Sequence, residues 1–316
     1  MPIPPYVLRL RKAIHHDWMM MAGAAAIIRD DEGRFLLQRR SDFNKWSLPG
    51  GSLDPGEDPA LAVIREAREE TGLDVQVERI SGVYSFAIEY PGGDRVWGTS
   101  TTFLCQAVGG ELALDDDETL ELRYFAPDEF PENIMAQHIP RLHQALRNEA
   151  PYFEPPLEHP DNQEYVQTIR QKIGHDLLMV ISAEAIIQNE DQQLLLQRRR
   201  SGEWGLPGGS SHIFENPAQT VIREVQEETG LIVIPERLTG VYGGEDHIFT
   251  YPNGDVAAHT SYSFLCRVSE GELQAVGESQ DVGYFPMNDL PDAIRPEHRL
   301  RIEHALTHAD AYFRRP

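Results

Sequence analysis

Residues 51–73 read GSLDPGEDPALAVIREAREETGL, a Gly/Pro turn that runs into a segment ending in a cluster of acids. Pro59 suits the first turn of a helix, where its missing N–H costs nothing, and Gly72 suits the position just past the end. Pro59 to Glu70 is therefore expected to be helical. At about 100° per residue, Glu66 and Glu70 stand one turn apart on one face, with Glu69 about 60° from Glu66. Carboxylates at this spacing repel by about 0.2–0.5 kcal/mol per pair in an isolated helix. A divalent cation removes that repulsion. Carboxylate oxygens suit hard ions such as Mg²⁺ and Mn²⁺, which also bridge to phosphates. Glu57, in the preceding turn, can add an oxygen or pair with Arg65. Gly50-Gly51 lets backbone approach the acids without a Cβ in the way.

The stretch occurs twice. Residues 209–231 read GSSHIFENPAQTVIREVQEETGL and keep Gly209, Glu215, Arg223, Glu224, Glu227, Glu228 and Gly230 at identical spacing. Further out, Leu37-Gln38-Arg39-Arg40 recurs as Leu196-Gln197-Arg198-Arg199, and Phe103-Leu104-Cys105 as Phe264-Leu265-Cys266. The offset stays between 158 and 161 residues. A period of this length is a duplicated domain, since solenoid units run about 20–50 residues. Two domains also suit 316 residues, at about 150 residues each. The expected boundaries are 1–154 and 165–316, joined by a Pro-rich, polar linker at 155–164.

Within one copy, a short helix is expected near Tyr6–Ile14, then strands at Met19–Arg29 and Phe35–Arg40. Gly50 to Gly56 reads as a loop. Strands at Val75–Glu89 and Val96–Ala107 flank the Tyr90–Asp94 turn as a hairpin. A strand at Glu121–Phe125 and a helix at Ile139–Arg147 close the unit. The class is α/β with a mixed sheet, in the α+β sense.

Composition narrows the function. Lys plus Arg is 28 and Asp plus Glu is 51, a net charge of −23. So acidic a chain is a poor general binder of nucleic acid, and a phosphate ligand needs a local positive patch or a cation. No apolar run is long enough to span a membrane. Two cysteines cannot build a disulfide scaffold or a zinc cluster. A basic start followed by the apolar run Trp18–Ile28 resembles a leader, but its counterpart Leu177–Ile187 lies deep inside the chain. The expected location is the cytoplasm.

Gly51-x5-Glu57-x7-Arg65-Glu66-Ala67-x-Glu69-Glu70-x-Gly72-Leu73 resembles the Nudix box of the Nudix (MutT-like) hydrolases, and the segment from Gly209 to Leu231 is a second complete match. The resemblance implies two tandem Nudix-fold α/β/α sandwich domains. It implies Mg²⁺- or Mn²⁺-dependent hydrolysis of a pyrophosphate bond in a nucleoside diphosphate linked to another moiety: an NDP-sugar, ADP-ribose, a dinucleoside polyphosphate or a dNTP. Position by position, Glu66, Glu69 and Glu70 become metal ligands, with the Gly51 carbonyl, and Glu57 and Arg65 support them. In the second copy the same roles fall to Glu224, Glu227, Glu228, Gly209, Glu215 and Arg223. Glu118 and Glu278, at equivalent places before Tyr124-Phe125 and Tyr284-Phe285, are the candidates for a later carboxylate acting as base or ligand.

The expected partner is a small nucleotide, with no nucleic acid and no membrane. A homodimer and an intramolecular pseudo-dimer of the two domains are the assemblies the duplication allows. The competing function is a nucleotide sensor in which one or both domains bind without cleaving, against which the intact acids of both boxes speak. The second loop, Ser210-Ser211-His212-Ile213-Phe214-Glu215, loses the Pro-Gly of the first and gains bulk. Two working sites with different leaving-group preferences are therefore expected. Other features have structural explanations: Trp46 and Trp204 as packing residues, His16-Asp17 and His175-Asp176 as turn or cap elements. Asp115-Asp116-Asp117 reads as a solvated run that the second copy lacks.

Overall fold

The computed structural model describes residues 5–90, 92–114, 118–147, 149–156 and 162–315. The Asp115–Asp117 run and part of the expected linker lie outside the described residues. The first half runs α1 (Pro5–Ile14), β1 (Met19–Arg29), β2 (Phe35–Arg40), β3 (Trp46–Ser47), β4 (Gly50–Ser52), α2 (Pro59–Thr71), β5 (Leu73–Glu89), β6 (Arg95–Gly110), β7 (Thr119–Phe125), α3 (Ile139–Leu146) and β8 (Tyr152–Phe153). The second runs α4 (Val166–Ile173), β9 (Leu178–Ile187), β10 (Leu194–Arg198), β11 (Trp204–Gly205), β12 (Gly208–Ser210), α5 (Pro217–Thr229), β13 (Leu231–Tyr242), β14 (Ile248–Thr250), β15 (Val256–Gly271), β16 (Asp281–Phe285) and α6 (Pro296–Thr307).

The first sheet is mixed, in the order β3-β2-β1-β6-β5-β8, with β4 also on β1 and β7 on β2. β1 runs parallel to β6, from Met19 opposite Val96 to Arg29 opposite Gln106. β5 and β6 form the expected hairpin. In the second half β9 is likewise parallel to β15, while β10, β11 and β16 form a separate three-stranded sheet.

β1 is buried on both faces, and its alternation sorts the layers. Ala24, Ala26 and Ile28 share a cluster with Ala60, Val63 and Ala67 of α2. Ala25 and Ile27 share another with Leu142 and Ala145 of α3. One helix therefore covers each face, giving an α/β/α sandwich. α2 begins where Asp58 caps it, accepting the Ala60 N–H at 2.9 Å, and ends where Gly72 turns left-handed at φ +74°.

The expected loop at 50–56 begins instead as a strand. Ala25 pairs with Gly50 and Gly23 with Ser52. Gly50 has φ +147°, and a Cβ there would lie 2.3 Å from the Ala24 carbonyl oxygen. Glycine at 50 is what lets the start of the box lie flat on β1.

The halves share one hydrophobic cluster and exchange matching contacts. The Tyr165 hydroxyl accepts the Met20 N–H at 3.0 Å, and the Tyr6 hydroxyl accepts the Met179 N–H at 2.9 Å. Phe103 packs edge-on to Phe313 and Phe153 edge-on to Phe264. The second box loop departs from this symmetry. Phe214, where the first copy has Gly56, has φ +69° and lies edge-on to Trp18 and Trp97 of the first half. The Trp97 indole N–H also donates to the Glu215 carbonyl at 3.0 Å. The bulk that sequence reasoning marked as a change to the second site is thus seated in the contact between halves. Both cysteines are buried and free, in β6 and β15. No described helix is long and apolar enough to cross a membrane.

Candidate active site

Arg65 organises the first box. Its Nε and Nη2 donate to the two oxygens of Glu57, each at 2.8 Å, tying the turn to α2 by a bidentate pair. Its Nη1 donates to Glu66 at 2.9 Å and Glu69 at 3.1 Å. The repulsion foreseen on this stripe is therefore already relieved in part by a guanidinium. Glu70 lies deeper, 2% exposed, and accepts the Gly50 N–H at 2.6 Å. A Cβ on Gly51 would fall 2.6 Å from a Glu66 carboxylate oxygen, so glycine there keeps backbone against carboxylate.

Burial pushes the Glu66 carboxyl up to about 7 against the opposing pull of Arg65. Burial also pushes Glu70 up to about 8, opposed by the nearby Gln38 amide and reinforced by the charge of Glu66. Arg65, bonded to Glu57, is held above its ordinary range. Two buried, adjacent carboxylates that resist ionisation, an exposed third and a nearby backbone carbonyl are an all-oxygen donor set suited to a hard divalent ion. The donors fit the ion in chemistry, although among the described residues no three His, Cys, Asp or Glu side chains are already gathered to hold one.

A stability prediction follows. Glu70 has an ordinary value of 4.5 and sits near 8 in the fold. The native state then holds the proton that the unfolded chain releases, so its contribution is full below 4.5 and is lost as pH rises through 8. Glu66 acts in the same direction up to about 7. In EDTA, Tm should fall between pH 6 and 9. Mg²⁺ should restore it, most strongly at the alkaline end, as differential scanning fluorimetry would show.

The second box repeats the geometry. Arg223 holds Glu215 at 2.7 and 2.9 Å and reaches Glu224 at 2.8 Å and Glu227 at 3.1 Å. Glu228 accepts the Gly208 N–H at 2.7 Å, and burial pushes it up to about 7. A Cβ on Gly209 would again strike the carboxylate of Glu224, at 2.6 Å.

The halves differ beside the boxes. In the first, a cavity of about 770 Å³ opens over the acids, bringing together Glu66, Glu69, Glu70, Glu118, Arg40 and Arg141. In the second, a space of about 100 Å³ beside Glu184 and Arg301 touches Gly209 and is lined by none of Glu224, Glu227 and Glu228. Glu278, the counterpart of Glu118, is exposed on a turn and does not line it. Trp46 is buried edge-on to Phe125, a packing residue as expected. His16 and His175 bond Asp94 and Asp255 at the hairpin turns. Arg40 lines the large cavity and pairs with Asp42.

The closing helix, α3, was expected from the sequence, but the two residues it brings to the site were not. His138 accepts the Leu48 N–H at 3.4 Å, and Arg141 faces the cavity from the same helix end. Their counterparts His298 and Arg301 recur at an offset of 160. That repetition was the available signal, hidden because a basic residue on a short amphipathic helix ordinarily faces solvent.

The chain is similar in sequence to known proteins. The NUDIX domain family model matches residues 19–146 and again 179–305. A MutT-like protein of Streptomyces ambofaciens is 34% identical over 130 residues, 41% of this chain and 78% of its own. A putative 8-oxo-dGTP diphosphatase of Bacillus subtilis (strain 168) is 32% identical over 113 residues, 36% of this chain and 71% of its own. Among solved structures, an ADP-ribose pyrophosphatase of Streptococcus suis 89-1591 has 27% identity and a TM-score of 0.35, covering 42% of this chain and 96% of its own. Nudix hydrolases generally use divalent metal ions and act on small nucleotides. The chain belongs to the NUDIX domain family, a Nudix hydrolase that carries two matches to the domain in tandem.

Proposed function

We propose that the protein hydrolyses a pyrophosphate bond in a nucleoside diphosphate linked to another moiety, dependent on Mg²⁺ or Mn²⁺, and that this happens in the first half. The observation that carries the reading is the cavity in which three box carboxylates, Glu118 and four arginines, among them Arg40 and Arg141, meet. The names of the relatives, an 8-oxo-dGTP diphosphatase and an ADP-ribose pyrophosphatase of Methanocaldococcus jannaschii, support the substrate class. Glu66, Glu69, Glu70 and the Gly51 carbonyl would hold the ion. When bound, it would neutralise the diphosphate and stabilise charge developing at phosphorus. Arg65 keeps Glu66 and Glu69 pointed at one region. Arg40 sits at the cavity wall within the field of Glu70. Glu118 lines the cavity and would take a proton from attacking water. The products would be a nucleoside monophosphate and a phosphorylated partner, or pyrophosphate from a triphosphate.

In the same proposal, 1–154 and 165–316 are the two domains, 155–164 joins them, and they pair as an intramolecular pseudo-dimer. The reciprocal Tyr6 and Tyr165 bonds support that pairing, since two-fold contacts repeat in both directions. Two free, buried cysteines suit a reducing cytoplasm. The test is a panel of ADP-ribose, NDP-sugars, dinucleoside polyphosphates and 8-oxo-dGTP, read by monophosphate or pyrophosphate release. Turnover of at least one class with Mg²⁺ or Mn²⁺, abolished by EDTA, is expected. Absence of turnover across the panel, or turnover that survives EDTA, would refute the proposal.

A further inference from the structure

Arg141 is 3% exposed, and its Nε, like that of Arg301, has no hydrogen-bond partner among the described residues. Its Nη1 reaches the Ser100 hydroxyl at 3.3 Å, and its guanidinium lies 4.9 Å from the Tyr84 ring centre. Among the described residues no carboxylate lies within ion-pairing distance. Glu154 acts on it only at longer range and accepts the Ser85 N–H instead. A buried, unpaired guanidinium is costly unless a ligand completes it, and this one faces the cavity above Glu66 and Glu70.

The duplication supplies an internal control. Arg301, the counterpart of Arg141, stands 4.7 Å from Tyr242, the counterpart of Tyr84. Its Nη1 donates to Glu184 at 2.5 Å, and Glu184 also accepts the Ser263 hydroxyl. Strand register equates Glu184, opposite Gly208, with Ala25, opposite Gly50. It likewise equates Ser182 with Gly23 and His259 with Gly98. His259 bonds Ser182 at 3.3 Å and Tyr251 at 3.0 Å inside the second cavity. Two small residues that line the open first cleft, Gly23 and Ala25, are thus side chains that fill the second, while at Gly98 the Phe86 ring takes the space.

We infer that Arg141 binds an anionic group of the substrate, a phosphate of the nucleoside diphosphate, and that Glu184 occupies the same position in the second half as a built-in substitute for that anion. The first cleft is therefore the one that takes ligand, and the second is self-quenched. The identity of the anion as a nucleotide phosphate rests on the proposed function; the contrast between the two clefts does not.

The test is calorimetric titration of the full chain with ADP-ribose and with inorganic pyrophosphate, in EDTA so that binding is read apart from hydrolysis. The wild type should bind one ligand per chain. Arg141→Gln should weaken binding roughly 10- to 100-fold, the value of a buried charge-assisted bond. Ala25→Glu should abolish it by pairing with Arg141 as Glu184 pairs with Arg301. Glu184→Ala should open a second site, raising the stoichiometry to two, and Glu184→Gln should do so in part. Circular dichroism of each variant establishes that it is folded; Arg301 unpaired by Glu184→Ala is in the state that Arg141 already tolerates. Undiminished binding in folded Ala25→Glu, or one site remaining in folded Glu184→Ala, overturns the inference. If these binding results hold while no panel compound is hydrolysed, the anion site stands and the proposed activity falls.

Discussion

Glu70→Gln is expected to lower kcat by about 100-fold or more, while Glu228→Gln, the same change in the second box, leaves it within about threefold of the wild type. Removing a carboxylate that grips the catalytic ion forfeits several kcal/mol of transition-state stabilisation, and about 2.7 kcal/mol is already a factor of 100. The two sites are locally alike: Glu70 is buried and Glu228 half-buried, and each is bonded to a glycine N–H and raised by burial. The asymmetry comes from what stands beside them: the first acids line an open cavity of about 770 Å³ in which Arg141 has no carboxylate partner among the described residues, whereas Arg301 is answered by Glu184. A glutamine at 70 keeps the size and removes a buried charge, so Tm in EDTA at pH 8 should hold or rise while turnover collapses. That pairing of outcomes separates chemistry from folding. Single-turnover and steady-state assays on the substrate that the panel identifies would check it. Equal losses in the two variants would restore the expectation of two working sites.

Phe214→Ala should destabilise the protein by about 2–4 kcal/mol. Truncating a buried phenylalanine costs about 3–5 kcal/mol, and the edge-on contacts to Trp18 and Trp97 add to that. Relief of crowding at the strained backbone offsets a part. Because φ at 214 is +69°, alanine inherits the left-handed conformation, whereas glycine adopts it freely. Phe214→Gly should therefore be more stable than Phe214→Ala by about 1 kcal/mol, reversing the usual order of the two residues. Thermal and urea denaturation measure both, and Trp18 and Trp97 should shift their emission to the red as water reaches them. An alanine variant more stable than the glycine variant would show that the loop relaxes its backbone once the ring is gone.

The duplication, the α/β class, the helix that carries the acids and the Glu57–Arg65 pair were legible in the chain itself. Each rests on local chemistry: proline at a helix start, a left-handed glycine at its end, alternation along strands, and residues a turn apart that must share a face. Met19–Arg29 and Phe35–Arg40 came out residue for residue for that reason. What the chain could not show by itself was which acids have room above them. Ala25 and Glu184 lie in two apolar strands, and Arg141 and Arg301 are identical residues on two short helices. Their difference exists only where β1 meets α3 and β9 meets α6, more than 100 residues apart in sequence. Phe214 likewise read as a change to its own loop, whereas the fold places it between tryptophans of the other half. Periodicity and capping are properties of neighbouring residues. Whether a buried guanidinium is left for a ligand or answered by a carboxylate is decided by elements that only the packed sheet brings together.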